Sequence, residues 1–127
     1  MSLNPLFVRP LTYVLETQPV QGTTYPGIYV GSTMNMNQRW AQHCCGFGSK
    51  FCRVHKPVRI RAVHCCDASD ARAVMRYENE LTLTLMREYI EKYGPNGWQS
   101  VRGGDHCCLH MAKPAVLSMA PPPEPER

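Results

Sequence analysis

The sequence predicts an α+β fold, a single domain with a small three-stranded antiparallel or mixed sheet flanked by helices. Three observations predict it. Short runs rich in strand formers, at residues 11–15, 28–31 and 57–64, are bounded by proline, glycine and threonine. One long stretch, residues 67–92, carries apolar side chains at helical spacing: Ala71, Val74, Leu81, Leu85 and Tyr89. The whole chain has 127 residues, 43% of them apolar, enough for one modest core and too apolar for wholesale disorder.

The first strand is Leu11-Thr12-Tyr13-Val14-Leu15, entered from Pro10. A turn-rich loop with Pro19, Gly22 and Pro26 leads to the second, and the two suggest an antiparallel hairpin. Gly31 allows a sharp turn after it, and Ser32, Thr33 and Asn35 offer cap oxygens to a helix. Arg39 and His43 are four apart and share a face of that helix. An arginine that can fork onto phosphate beside a histidine that titrates near neutrality makes a phosphate-handling layout. Residues 44–55 read as a loop broken by Gly46, Gly48 and Ser49. In the third strand Val58, Ile60 and Ala62 alternate with Arg59 and Arg61, which predicts one buried face and one basic face. The helix that follows takes its start signals from Asp67-Ala68-Ser69-Asp70 and stops at Gly94-Pro95. This gives an N-terminal arm at 1–8, a folded domain at 9–111 and a proline-rich tail at 112–127. Pro114 and the prolines beyond it preclude regular structure in that tail, and 120–127 is expected to be disordered.

The net charge of +4 favours a polyanionic partner. Lys50, Arg53, Lys56, Arg59 and Arg61 fall in a stretch without an acid, either a solvated basic edge or a phosphate-backbone patch. No apolar run approaches the roughly 18 residues of a membrane span, and Met1-Ser2-Leu3-Asn4-Pro5 does not resemble a signal peptide. Seven cysteines, an odd number, fit free thiols in a reducing intracellular compartment, cytoplasm or nucleus. His106, Cys107, Cys108 and His110 cluster without the usual zinc spacing, so buried small hydrophobes are favoured there over a zinc site.

Glu78 is the anomaly. It lies on the apolar stripe, one turn from Val74 and Leu81, whereas Glu80 is about 200° round the helix and faces water. A carboxylate on a core-facing stripe is costly unless a cation or hydrogen bonds satisfy it. The candidates are an ion pair with a neighbour such as Arg39, or a bound metal ion.

In order, Tyr13, Tyr29-Val30-Gly31, Arg39, His43, Glu78 and Val101-Arg102-Gly103-Gly104 resemble the GIY-YIG nuclease superfamily. Arg39 follows Tyr29 by ten residues, and His43 completes an Arg-x-x-x-His variant. The literal string Gly27-Ile28-Tyr29 also occurs, but no second Tyr-x-Gly follows it. Tyr13 therefore stands for the first half-motif, with Leu11-Thr12 where Gly-Ile is usual, and Tyr29 for the second. Thr82 and Met86 extend Glu78 into a pattern of some branches of the family; Ser100 stands where those branches have asparagine.

The resemblance implies a stand-alone metal-dependent DNA endonuclease. Glu78 would bind Mg²⁺, with Mn²⁺ as substitute. Arg39 would hold phosphate oxygens, and Tyr13, Tyr29 or His43 would serve water activation. Arg39, His43 and the metal are the cations expected to make a phenolate accessible. Lys50, Arg53, Lys56, Arg59, Arg61, Ser100 and Arg102 would contact duplex or branched DNA. The alternative is a catalytically silent nucleic-acid-binding module on the same fold.

Overall fold

The computed structural model describes residues 10–65 and 71–119. The predicted arm, the helix-start residues 67–70 and the tail from 120 lie outside the described residues. The order is β1 (Leu11–Thr17), β2 (Gly27–Thr33), α1 (Met36–Cys44), α2 (Lys50–Val54), β3 (Pro57–Cys65), α3 (Ala71–Tyr93), a 3₁₀ turn (Gly97–Ser100) and β4 (Val101–Gly103). A second 3₁₀ turn (Ala115–Ser118) follows.

The sheet has four strands in the order β3-β1-β2-β4, one more than the sequence predicts. β1 and β2 form the expected antiparallel pair, and β3 pairs antiparallel on the other side of β1. β4 adds to β2 in parallel through Ile28↔Val101, Tyr29↔Arg102 and Val30↔Gly103. Three residues are too few to show a strand period, and Gly103-Gly104 reads as a turn.

Alternation along β1 and β2 divides the core into two layers. Val14, Ile28 and Val30 meet Leu85, Met86 and Tyr89 of α3, together with Trp98 and Val101. Tyr13, Leu15 and Tyr29 point to the opposite face and pack on Phe51 and Cys52 of α2. The α3 stripe is buried at Val74, Leu85 and Tyr89, but Ala71 is exposed while Thr82 and Met86 are fully buried. α2 replaces the loop expected at 44–55. Ser49, beside the breakers Gly46 and Gly48, is its N-cap, and its side chain accepts from the Cys52 amide at 3.2 Å.

The expected buried face of β3 is not there: Val58 is 60% exposed and Ile60 39%. β3 is an edge strand, and register shifts at Val14/Leu15 and Glu16/Thr17 break the two-residue period that the prediction used. The same pairing sets Glu16 opposite Arg59. The guanidinium donates to both carboxylate oxygens, at 2.8 and 2.9 Å, so Arg59 is not the free cation the sequence suggests.

Arg102 is a second correction. It is 4% exposed and donates to the carbonyl oxygens of Trp98, Gln99, Val101, Cys108 and Leu109. It staples residues 108–109 to the end of the sheet, its guanidinium turned to backbone carbonyls and almost wholly buried. Ser100 is likewise buried at 1% exposure, too deep for a phosphate contact. After Ala112, where prolines were expected to exclude regular structure, Ala115–Ser118 form a short turn. Leu117 packs on the α3 layer and Arg87 donates to the Val116 carbonyl at 3.3 Å.

Replacing Arg102 by leucine strands five carbonyl oxygens at the sheet end. Arg102→Leu is expected to lower the unfolding free energy by about 2–4 kcal/mol, measured by chemical denaturation.

Candidate active site

Asn35 is the true cap of α1, its Oδ1 accepting from the Gln38 amide at 3.1 Å. The cap starts the helix where its first two turns carry Arg39 and His43 back over the sheet. His43 is buried, 1% exposed, against the two tyrosine rings: centroids lie 5.7 Å from Tyr13 and 5.4 Å from Tyr29. Tyr13 Oη is 2.8 Å from His43 Nε2, and Arg39 Nε donates to the same oxygen at 3.3 Å. Gln42 holds the guanidinium from the other side, accepting from Nη1 at 3.0 Å. The two tyrosines, Arg39 and His43 thus meet as one cluster.

Glycines make room for it. Tyr13 pairs with Gly31 across the hairpin, and a Cβ at Gly31 would sit 2.4 Å from the Tyr13 hydroxyl oxygen. A Cβ at Gly48 would sit 2.0 Å from His43 Nδ1. The sequence offers both only as turn residues.

Burial sets the electrostatics. It pushes the Tyr13 phenol well above its ordinary value; the Arg39 hydrogen bond and charge oppose this. Tyr29 is raised for the same reason, with the Ser49 hydroxyl and Arg39 pulling the other way. Burial, then the Arg39 charge, drives His43 down from 6.5 to about 4. His43 is therefore neutral near pH 7. It cannot be one of the cations expected to favour a phenolate, because a second charge beside Arg39 in a dry site is too costly. Burial lowers Arg39 as well, but the hydrogen bond and charge of Tyr13, with Tyr29, carry it above its usual value.

Glu78 sits on the α3 side of the same end of the sheet. It is half-buried, and Glu80 is exposed, as their helical positions require. Ser32 Oγ donates to Glu78 Oε2 at 3.2 Å, and Thr12 lies 3.1 Å from Ser32 across the hairpin. The Gly104 amide is a second donor to the carboxylate. Burial raises its pKa; Ser32 and Gly104 oppose the rise, and Asp105 adds to it. Among the described residues no cation joins this set, so of the two candidates the ion pair with Arg39 is not formed. Tyr29 feels the Glu78 charge, which joins the acid electrostatically to the tyrosine cluster. Sequence reasoning treated Ser32 only as a possible helix cap. The signal for its other role is that a hydroxyl directly after Tyr-Val-Gly lies at the strand end that faces α3.

Asn79 and Asp105 fix the turn that delivers the Gly104 amide. The Asn79 amide donates to Asp105 at 2.9 Å, and the Asp105 backbone donates to Asn79 Oδ1 at 2.7 Å. Gly104 has φ +51°, and a Cβ there would meet Asn79 Oδ1 at 2.0 Å. A Cβ on Gly103 would meet the Val30 carbonyl oxygen at 2.6 Å and Thr82 Oγ1 at 2.7 Å.

A family model described as the GIY-YIG catalytic domain matches residues 10–94, more than half of the chain. The chain belongs to the GIY-YIG family. Comparison with curated proteins and with solved structures gave no match. The GIY-YIG match covers Tyr13, Tyr29, Arg39, His43 and Glu78, and it implies nuclease-type chemistry on a nucleic acid.

The remaining candidates separate. Lys50, Arg53 and Lys56 are exposed. Lys50 and Arg53 line a groove with residues 108–110, whereas Arg59 and Arg61 line another cleft with Glu16, Glu88 and Lys92. The basic stretch is thus two surfaces. Cys107 and Cys108 are exposed, not the buried small hydrophobes expected. Among the described residues no three His, Cys, Asp or Glu side chains converge on a metal position, and no helix is long and apolar enough to cross a membrane.

His43 gives the fold a measurable acid limb. The unfolded imidazole takes a proton near 6.5 and the folded one only near 4, so between these values the unfolded chain binds more protons. Stability then falls as pH falls through that window, by up to about 3 kcal/mol from this residue. Denaturation of the wild type and of His43→Gln from pH 7 to 4 should show the wild type losing more stability by that amount.

Proposed function

We propose that this domain is a metal-dependent endonuclease that hydrolyses DNA phosphodiester bonds, cutting one strand per site. The observation that carries the reading is the Tyr13 hydroxyl held between the Arg39 guanidinium and His43 Nε2. Arg39 occupies one acceptor position of Oη, which leaves the phenol proton to be directed at the neutral imidazole nitrogen. Tyr13 is then poised to take a proton from an attacking water while it passes its own to His43. No free phenolate has to exist beforehand, which suits a phenol whose pKa burial raises.

Arg39 has unused guanidinium donors for the non-bridging oxygens of a phosphate. An anion bound there offsets the Arg39 charge that depresses His43, so substrate binding itself would raise the basicity of the imidazole. Tyr29, beside Ser49 and within the field of Glu78, would position the water or the phosphate.

Glu78 fits one hard divalent ion, Mg²⁺ or Mn²⁺. It is a half-buried acid whose described partners are neutral donors, and such an ion needs few protein ligands because it keeps several waters. When bound, it supplies charge stabilisation at the scissile phosphate and the leaving oxygen. Ser32 and the Gly104 amide restrain the carboxylate by hydrogen bonds.

Strand cleavage should be followed on supercoiled plasmid, flap and four-way-junction DNA. Cleavage is expected with Mg²⁺ and none in EDTA. Glu78→Ala should lower the rate by at least about 1000-fold. Tyr13→Phe should cost about 100- to 10,000-fold. Inactivity on every substrate with retained DNA binding would replace the enzyme by a catalytically silent binding module. Full activity in Glu78→Ala would remove the metal assignment.

A further inference from the structure

We infer that the groove between α2 and residues 108–110 is the track for the sugar–phosphate backbone of the substrate strand, leading away from the tyrosine cluster. The inference rests on the endonuclease reading and names the surface on which that activity holds its substrate. The groove has a volume of about 600 Å³ and is lined by Lys50, Arg53, Val54, Cys108, Leu109 and His110.

Its chemistry selects the occupant. Two cations stand on its rim and, among the described residues, no acid lines it. Val54 and Leu109 give it aliphatic walls. Aliphatic contact with cationic points suits a sugar–phosphate chain. Stacked bases would call for aromatic rings, which the described lining lacks. The competing basic surface is compromised: Glu16 neutralises Arg59, and Glu88 lies in the same cleft.

Its position ties it to the site. Ser49, the residue before Lys50, caps α2 and lies beside the Tyr29 hydroxyl. Phe51 and Cys52 of the same helix pack on Tyr13 and Tyr29, and Leu109 from the opposite wall packs on that cluster too. Both walls are therefore anchored in the core that holds the catalytic tyrosines. Arg102 fixes the second wall by donating to the Cys108 and Leu109 carbonyls at 2.8 and 3.2 Å. A backbone seated here is fixed in register relative to Tyr29 without any base being read.

The test is the salt dependence of DNA binding. Fluorescence anisotropy of a labelled duplex, in EDTA to prevent cleavage, is measured from low to high NaCl for three proteins. These are the wild type, Lys50→Gln/Arg53→Gln, and Arg59→Gln/Arg61→Gln. Lys50 and Arg53 are exposed, so the groove variant should keep the wild-type melting temperature. Each lost phosphate contact reduces the slope of log K against log salt by about 0.9, so the groove variant should lose about 1.8. The β3 variant should lose less than half of that. An unchanged slope in the groove variant, or a larger loss in the β3 variant, overturns the track while leaving the endonuclease reading intact. A groove-dependent slope in a protein that cleaves nothing keeps the track and removes the endonuclease. No DNA binding by the wild type removes both.

Discussion

The site depends on an absent side chain. Tyr13 and Gly31 face each other across β1 and β2, and the tyrosine ring lies where any Cβ on residue 31 would be. That overlap lets a strand residue turn its hydroxyl along the sheet toward α1 rather than straight off the surface. With Tyr13 1% exposed and packed beside Tyr29 and Phe51, the ring has no second place to go. Gly103 and Gly104 do the equivalent on the other side, letting the turn after β4 close on α3 and put an amide on Glu78.

The two sides are electrically different. Around Tyr13 the surroundings are dry, Arg39 is the nearby positive charge and His43 is neutral. Around Glu78 the groups are a hydroxyl, an amide and a second acid, and the carboxylate sits above its ordinary pKa without a cation. Each side is incomplete in the complementary sense. The tyrosine side has a proton path and an anion-seeking guanidinium. On the acid side, burial and Asp105 act against the charged carboxylate, and Ser32 and the Gly104 amide act for it. The two sides do not pair with each other: Arg39 bonds Tyr13 and Gln42, while Glu78 is held by Ser32 and the Gly104 amide.

The strands and the long helix were legible because their periods run for many residues. The helix stop at Gly94-Pro95 and the inward placement of Glu78 follow from spacing alone. α2 was missed because five residues carry barely more than one helical turn, and the Ser49 cap was outweighed by Gly46 and Gly48. β4 was missed for the same shortness. The face of β3 was misread because two register shifts reverse the alternation that a sequence can only assume to be continuous. Arg102 was misassigned for a different reason. A charged residue in a glycine-rich ending suggests a ligand contact, and only the folded chain shows five backbone carbonyls converging on it. Ser32 had the right chemistry in plain view, but which of three neighbouring cap candidates is spent on the helix depends on the backbone.

The GIY-YIG match ends at residue 94, yet the site does not. The Gly104 amide on Glu78, the Asp105 half of the Asn79–Asp105 clasp that holds it, and the Arg102 staple that builds one groove wall all come from the segment after the long helix. β4 joins that segment to β2 beside Tyr29 itself, in parallel register with Arg102. The matched part supplies every group proposed to touch the reacting atoms. The following segment supplies the Gly104 amide on that acid and the wall that would hold the strand. In this chain the ending beyond the match thus packs as part of the same folded unit: without it Glu78 would keep only Ser32 of its two described hydrogen-bond donors, and the groove would have one side.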